Sequence, residues 1–204
     1  MSHPERRRGN SARASPADAP AAHALERLRA GDRGAFNEVY EAYRGRLYSF
    51  LLRLTQDEQL ARDLFQETWM RLAANARRLS PSTQVGPWLF SVARNLFVSH
   101  RRWSIVDKVA LSSLRHASIA TGAASPLEQV SADLTQRRLE RALGELGVKY
   151  REVLLLVVVE GFSPSDVAAM LRLEPATVRQ RLARGRALLK RKLEERGSDA
   201  GEGQ

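Results

Sequence analysis

The sequence predicts an all-α protein built as two small helical domains joined by a flexible linker. Three observations carry this. Apolar residues recur at spacings of three and four through residues 25–103 and again through 136–193, the period of a helix with one buried side. Between them, residues 104–135 lose that period and fill with Ser, Ala, Thr and Gly, the composition of a linker. The one segment with strand propensity, the valine run within residues 150–160, has no partner strand elsewhere in the chain.

Taken in order, residues 1–22 are rich in Ala, Ser, Pro and Arg without periodicity, and a disordered basic tail is expected there. The first domain is expected over residues 23–103. Phe36, Val39, Tyr40, Tyr43, Leu47, Phe50, Leu51 and Leu54 mark the inner side of a long helix, which Gly31-Asp32 breaks from a short one before it. Residues 57–75 (DEQLARDLFQETWMRLAAN) separate cleanly on a helical wheel. Ala61, Phe65, Thr68 and Leu72 fall on one side, and Asp63, Gln66, Glu67 and Met70 form a stripe on the other. In a chain of net charge +10, that acidic and apolar stripe is either a solvated face or a surface for a basic protein partner.

Residues 77–87 (RRLSPSTQVGP) read as a loop. The helix predicted over 88–103 (WLFSVARNLFVSHRRW) turns Leu89, Ala93, Leu96 and Phe97 inward and leaves Trp88, Ser91, Arg94, Asn95, Val98, Arg101 and Arg102 outside. Arginines, an amide and a tryptophan on one face suit phosphate contact and base stacking on single-stranded nucleic acid. A tryptophan at a helix start serves equally well as a core or staple residue. Within the linker, residues 106–114 keep some helical spacing.

The second domain, residues 136–193, opens with a helix carrying Leu139, Ala142, Leu143 and Leu146 inward. The next, over 150–160, is predicted to bury Val153, Leu154, Val157 and Val158, and Gly161 supplies its stop. Ser163-Pro164-Ser165-Asp166 is a helix start: a hydroxyl cap, proline at the first helical position and a carboxylate at the third. The short helix 164–171 carries Val167, Ala168 and Leu171 inward. After Arg172-Leu173-Glu174, a second start at Pro175 begins a basic helix with Val178, Leu182, Gly185 and Leu189 on one side and Gln180, Ala183, Arg184 and Arg191 on the other. A helix, a tight turn and a basic helix make the outline of a helix-turn-helix, whose second helix enters the DNA major groove. An arginine-rich solvated surface helix would show the same face. Residues 194–204 are expected to be a disordered tail.

Composition narrows the partners. A net charge of +10 and a pI near 10.9 fit a polyanion. The chain has no cysteine, which excludes disulfides, thiolate metal sites and a thiol nucleophile. Its four histidines, His3, His23, His100 and His116, form neither a metal spacing nor a triad, and no glycine loop is built for phosphate. No enzyme, cofactor or metal is expected. The longest apolar run, residues 153–159, falls far short of the roughly 20 residues of a membrane span, and no signal peptide follows Arg6-Arg7-Arg8. A soluble cytoplasmic protein without membrane insertion is expected.

The order of these elements resembles the extracytoplasmic-function sigma factors, the compact group within the bacterial sigma-70 family. The resemblance rests on Gly31-Asp32 with Ala35-Phe36 and Tyr40; on the run Ala61-Arg62-Asp63-Leu64-Phe65-Gln66-Glu67-Thr68; on Trp88-Leu89-Phe90 with Ala93-Arg94-Asn95 and Arg101-Arg102; and on residues 143–155 leading into Thr177-Val178-Arg179-Gln180-Arg181 with Arg184 and Arg186. It covers residues 25–103 and 136–193. Leu146-Gly147 stands where the family usually has Leu-Pro, and Pro175-Ala176 where a glycine commonly precedes Thr-Val.

The resemblance implies a sigma region 2 helical bundle followed by a sigma region 4 helix-turn-helix. It implies that Asp63, Gln66, Glu67 and Met70 bind core RNA polymerase at the clamp helices of the beta-prime subunit, the beta subunit being a further partner. It assigns the −10 promoter element to Trp88, Arg94, Asn95, Val98, Arg101 and Arg102 with the loop 77–86, and the −35 element to Thr177, Arg179, Gln180, Arg181 and Arg184. An anti-sigma factor is an implied partner. The alternative is a helix-turn-helix transcriptional regulator acting without polymerase, which would leave the 63–70 stripe and the 94–102 face without a task.

Overall fold

The computed structural model describes residues 24–110 and 128–199. The expected tail 1–22, the middle of the linker and the last residues, 200–204, lie outside the described residues. Those described form α1 (Ala24–Arg29), α2 (Arg33–Thr55), α3 (Glu58–Asn75), α4 (Val85–Ala110), α5 (Glu128–Gly144), α6 (Val148–Leu154), α7 (Pro164–Leu171) and α8 (Pro175–Asp199), with no strand among them.

Caps set the first boundaries. Gly31 takes a left-handed φ of 85°, and the Asp32 side chain then accepts the Gly34 N–H to start α2. Asp57 does the same for α3 through the Leu60 N–H, 3.0 Å away. The predicted stripes close the core of the first domain: Ala35, Val39, Tyr43, Leu47, Phe50, Leu51 and Leu54 of α2 are buried against Ala61, Thr68 and Leu72 of α3 and Leu89, Phe90, Ala93 and Phe97 of α4. Thr68 is tolerated there because its hydroxyl donates to the Leu64 carbonyl. Leu64 and Trp69 widen the buried side of α3, with the Trp69 ring edge-on to Phe36, Tyr40 and Phe65.

In the second domain, Ser163 and Asp166 form a reciprocal capping box at the start of α7. Arg172 closes α7 in the left-handed region, and α8 begins at Pro175. Gly185 is buried where α8 crosses α6: a Cβ there would lie 3.1 Å from Leu154 Cδ1, so glycine permits the close approach.

Several expectations are corrected. The helices reach into the predicted linker, α4 running to Ala110 and α5 starting at Glu128, because no Gly or Pro interrupts residues 88–121 or 127–143. Polar residues extend a helix even where the apolar period fades. α8 likewise runs past the expected end of the second domain, to Asp199. The predicted loop 77–87 is partly helical: Ala76–Arg78 form a 3₁₀ turn, and α4 begins at Val85 with Pro87 in its first turn, where no N–H is needed.

The valine run departs most. Leu155–Val159 form a π turn, with the Glu160 N–H bonding to the Leu155 carbonyl at 2.9 Å. The wider turn buries Leu155 and Leu156 together and turns Val158 out to 53 % exposure, where the helical period had placed it inward.

The two domains pack on one another. Phe90 of α4 stands edge-on between Phe50 of α2 and Phe162, just before α7, at 5.1 and 5.2 Å between ring centroids. Their buried residues form one continuous cluster that runs from α2 and α4 into α6, α7 and α8.

Candidate nucleic-acid interface

The stripe on α3 faces solvent. Asp63, Gln66 and Met70 are exposed, Met70 at 58 %, while Glu67 is half-buried and holds Arg71 one turn later at 2.8 Å. Asp63 accepts from Gln59 Nε2 at 3.2 Å. All four residues lie away from the buried side of the helix, so their chemistry is available to a partner.

The α4 face is less uniform than the wheel implied. Asn95, Arg101 and Arg102 are exposed, and the Arg101 guanidinium lies 5.8 Å from the Phe97 ring centroid. Trp88 and Val98 are half-buried and pack on the core. Arg94 is turned toward the second domain, where its Nε donates to Glu152 Oε2 at 3.0 Å, leaving the side chain 19 % exposed. Its predicted place on the open face is thereby corrected, because a buried carboxylate attracts it inward.

On α8, Arg179, Gln180 and Arg184 project into solvent and Thr177 is half-buried near the helix start. Arg181 is different: its Nη1 lies 3.4 Å from Glu152 Oε1. The faces of α4 and α8 therefore meet at one carboxylate, which is 3 % exposed.

Two further cross-domain ties accompany it. Arg46 of α2 donates to the Glu160 carboxylate and to the Glu160 carbonyl, each at 3.0 Å. Burial pushes the Glu160 carboxyl above its ordinary range, with Arg46 pulling the other way. Arg151, itself buried, donates to the Leu143 and Leu146 carbonyls at 3.0 and 2.9 Å, to Gly144, and across the domain boundary to Leu54 at 3.1 Å. Burial pulls its pKa down to about 10, with Arg101 adding to the fall.

Sequence reasoning missed Arg46, Arg151, Glu152 and Glu160. A signal was present in the charged pair Arg151-Glu152 at the head of an apolar run, since buried charge requires a partner. Their partners in the first domain lie 58 to 114 positions away and have no local mark. Among the described residues no group of acidic or histidine side chains is placed to hold a metal, and no helix is long and apolar enough to cross a membrane.

Comparison with known proteins agrees with this geometry. Residues 39–103 match the model of sigma-70 region 2, and residues 136–189 match that of sigma-70 region 4. The chain is 32 % identical over 154 residues to the ECF RNA polymerase sigma factor SigM of Bacillus subtilis, covering 76 % of this chain and 92 % of that protein. It is 31 % identical over 164 residues to the RNA polymerase sigma factor CarQ of Myxococcus xanthus, covering 79 % and 90 %. The fold is similar to that of the sigma factor RpoE from Bartonella quintana, solved in complex with the anti-sigma factor NepR, with a TM-score of 0.65, 25 % identity and coverage of 78 % and 96 %. It is similar also to CnrH, solved with the cytosolic domain of CnrY, with a TM-score of 0.63, 22 % identity and coverage of 88 % and 98 %. With one domain matching region 2, the next matching region 4, and nearly the full length of SigM and CarQ aligned, the chain belongs to the extracytoplasmic-function group of the sigma-70 family of RNA polymerase sigma factors.

Proposed function

We propose that this sigma factor brings core RNA polymerase to promoters by dividing three tasks among three faces. Asp63, Gln66, Glu67 and Met70 of α3 hold the clamp helices of the beta-prime subunit. The observation that carries this is the exposure of Met70 beside Asp63 and Gln66, an apolar and acidic surface left open on a strongly basic chain. Trp88, Arg94, Asn95, Val98, Arg101 and Arg102, with the loop 77–86, capture the opened −10 element. Stacking and phosphate contact there offset an unstacking cost of a few kcal/mol per base. Thr177, Arg179, Gln180, Arg181 and Arg184 of α8 read the −35 element, each good base contact adding about 1–3 kcal/mol of discrimination.

Residues 23–103 and 136–193 are the working domains. The protein acts in the cytoplasm and performs no bond chemistry, which belongs to polymerase. An anti-sigma factor restrains it, a reading supported by the similarity to RpoE, whose structure contains NepR. A helix-turn-helix regulator acting without polymerase would lack the region 2 match over residues 39–103.

The test is co-elution of the purified chain with bacterial core RNA polymerase on a sizing column. The expected result is co-elution that is lost when Asp63→Arg and Glu67→Arg are combined, with helical content unchanged because both residues lie off the buried side. An unmodified chain that elutes apart from polymerase overturns the proposal.

A further inference from the structure

Two stripes meet where α2 of the first domain runs beside α5 of the second, and neither belongs to the three faces assigned above. Ser49, Leu52, Arg53 and Gln56 recur at three and four along α2, and Arg137, Glu140 and Arg141 do the same on α5. With Leu143 they line a recess of about 200 Å³. A cavity of about 150 Å³ accepts a benzene ring, so this one has room for a molecule of about ten non-hydrogen atoms. A nucleic-acid duplex cannot enter it.

The lining is of two kinds. Leu143 is buried and Leu52 half-buried, giving an apolar wall, and Ser49 is small enough to leave the space beside them open. Against this wall stand three guanidiniums and one carboxylate. Glu140 already accepts from Gln136 Nε2 at 2.8 Å, and its distance of 3.6 Å from Arg53 Nη2 is too long for a hydrogen bond. Arg53, its side chain 28 % exposed, thus carries a charge with no close acceptor among the described residues. Gln56 brings an amide to the same place. It ends α2 at a left-handed φ of 58°, where glycine is the usual residue, and it lies so close to Gly144 that a Cβ there would collide with its Nε2.

We propose that this recess is a binding site for a small amphipathic anion, a carboxylate or phosphate monoester on a short apolar chain. The chain lies on Leu52 and Leu143, and the head group accepts from Arg53 and Arg141, whose forked guanidiniums match either anion. Arg137 adds positive potential, and the Gln56 amide supplies a further donor. Because none of these residues serves the polymerase or promoter faces, occupancy is testable apart from transcription.

The experiment is calorimetric titration of the full chain with octanoate and with octyl phosphate, which carry the same chain on the two head groups. Octanol and inorganic phosphate serve as the chain and a head group alone. One equivalent of octanoate, octyl phosphate or both is expected to bind with a Kd below about 1 mM, and each control at least about tenfold more weakly. The tighter of the two anions names the head group. Ser49→Phe fills the recess, and Arg53→Gln with Arg141→Gln removes two of its three guanidiniums. Each change is expected to weaken binding at least about tenfold, with helical content by circular dichroism unchanged. The arginine double variant decides the outcome if Ser49→Phe does not fold. No saturable binding of either anion overturns the site. So does binding that the folded variants leave unchanged, which places the anion elsewhere on this basic chain, and so does octanol or inorganic phosphate binding as tightly as the anions.

Discussion

Replacing Arg151 by methionine keeps an apolar stem and removes a guanidinium that serves four carbonyls. Three of them, Leu143, Gly144 and Leu146, are the acceptors at and just beyond the C-terminal end of α5, and the fourth is Leu54 of α2. Bonds from a charged donor contribute roughly 1.5–3 kcal/mol each, and a buried acceptor left without a partner costs roughly 1–3 kcal/mol. The burial that pulls the Arg151 pKa down to about 10 opposes this, because it marks a charge held at some expense. A net loss of about 3–5 kcal/mol remains, a large part of a total stability of about 5–15 kcal/mol. At about 2–4 °C per kcal/mol for a chain of this size, the Tm should fall by roughly 10 °C. Thermal melting followed by circular dichroism reads this directly. Arg151→Lys, with a charge but no planar fork, should recover less than half of the loss. A Tm within about 2 °C of the unmodified protein would refute the reasoning, since the buried Leu54 and Leu146 carbonyls cannot lose a charged donor at so little cost.

Two other outcomes follow from the surfaces and the domain contact. Arg179→Ala combined with Arg184→Ala should weaken duplex binding and make the slope of log K against log salt shallower by about 1.8, at about 0.9 per phosphate contact, as measured by titration at several salt concentrations. Glu160 makes domain packing respond to pH. Its carboxyl is raised by burial in the packed form, so its contribution is full below the usual carboxylate range and is lost as pH rises through the raised value. This contribution should therefore grow as pH is lowered from neutral toward that range, read as a change in Tm relative to Glu160→Gln, which should lack this part of the response.

The helices were legible because burial in a small bundle forces a period of three and four, and because their ends carry local chemistry. Gly31 and Gly161 adopt left-handed φ values of 85° and 75°, and Ser163 caps α7, where short-range rules place them. The π turn was not legible. Its i to i+5 bonding follows from packing Leu155 and Leu156 into the same core, a tertiary demand that overrides the helical period. The α3 stripe could be read because its residues do nothing inside the fold. Arg94 and Arg181 were not legible as paired: the wheel set Arg94 on the outer face, but their common partner lies in another helix, and pairing of distant charges leaves no periodic trace in sequence.

The chemistry of the domain contact is partly ionic. A buried ion pair contributes little net stability, since desolvation consumes most of its attraction, and well-packed apolar residues of similar volume often do better by about 1–4 kcal/mol. Here Arg94–Glu152 and Arg46–Glu160 occupy the contact beside the Phe90–Phe162 pair, so charge and apolar packing both hold it. It follows that Glu152→Gln and a paired apolar replacement should act in opposite directions. Glu152→Gln leaves a buried guanidinium without its counter-charge and should lower the Tm, whereas Arg94→Met with Glu152→Leu removes the same ion pair and should raise it. If that double variant instead lowers the Tm as Glu152→Gln does, the ion pair contributes more than its desolvation costs, and the argument from desolvation fails.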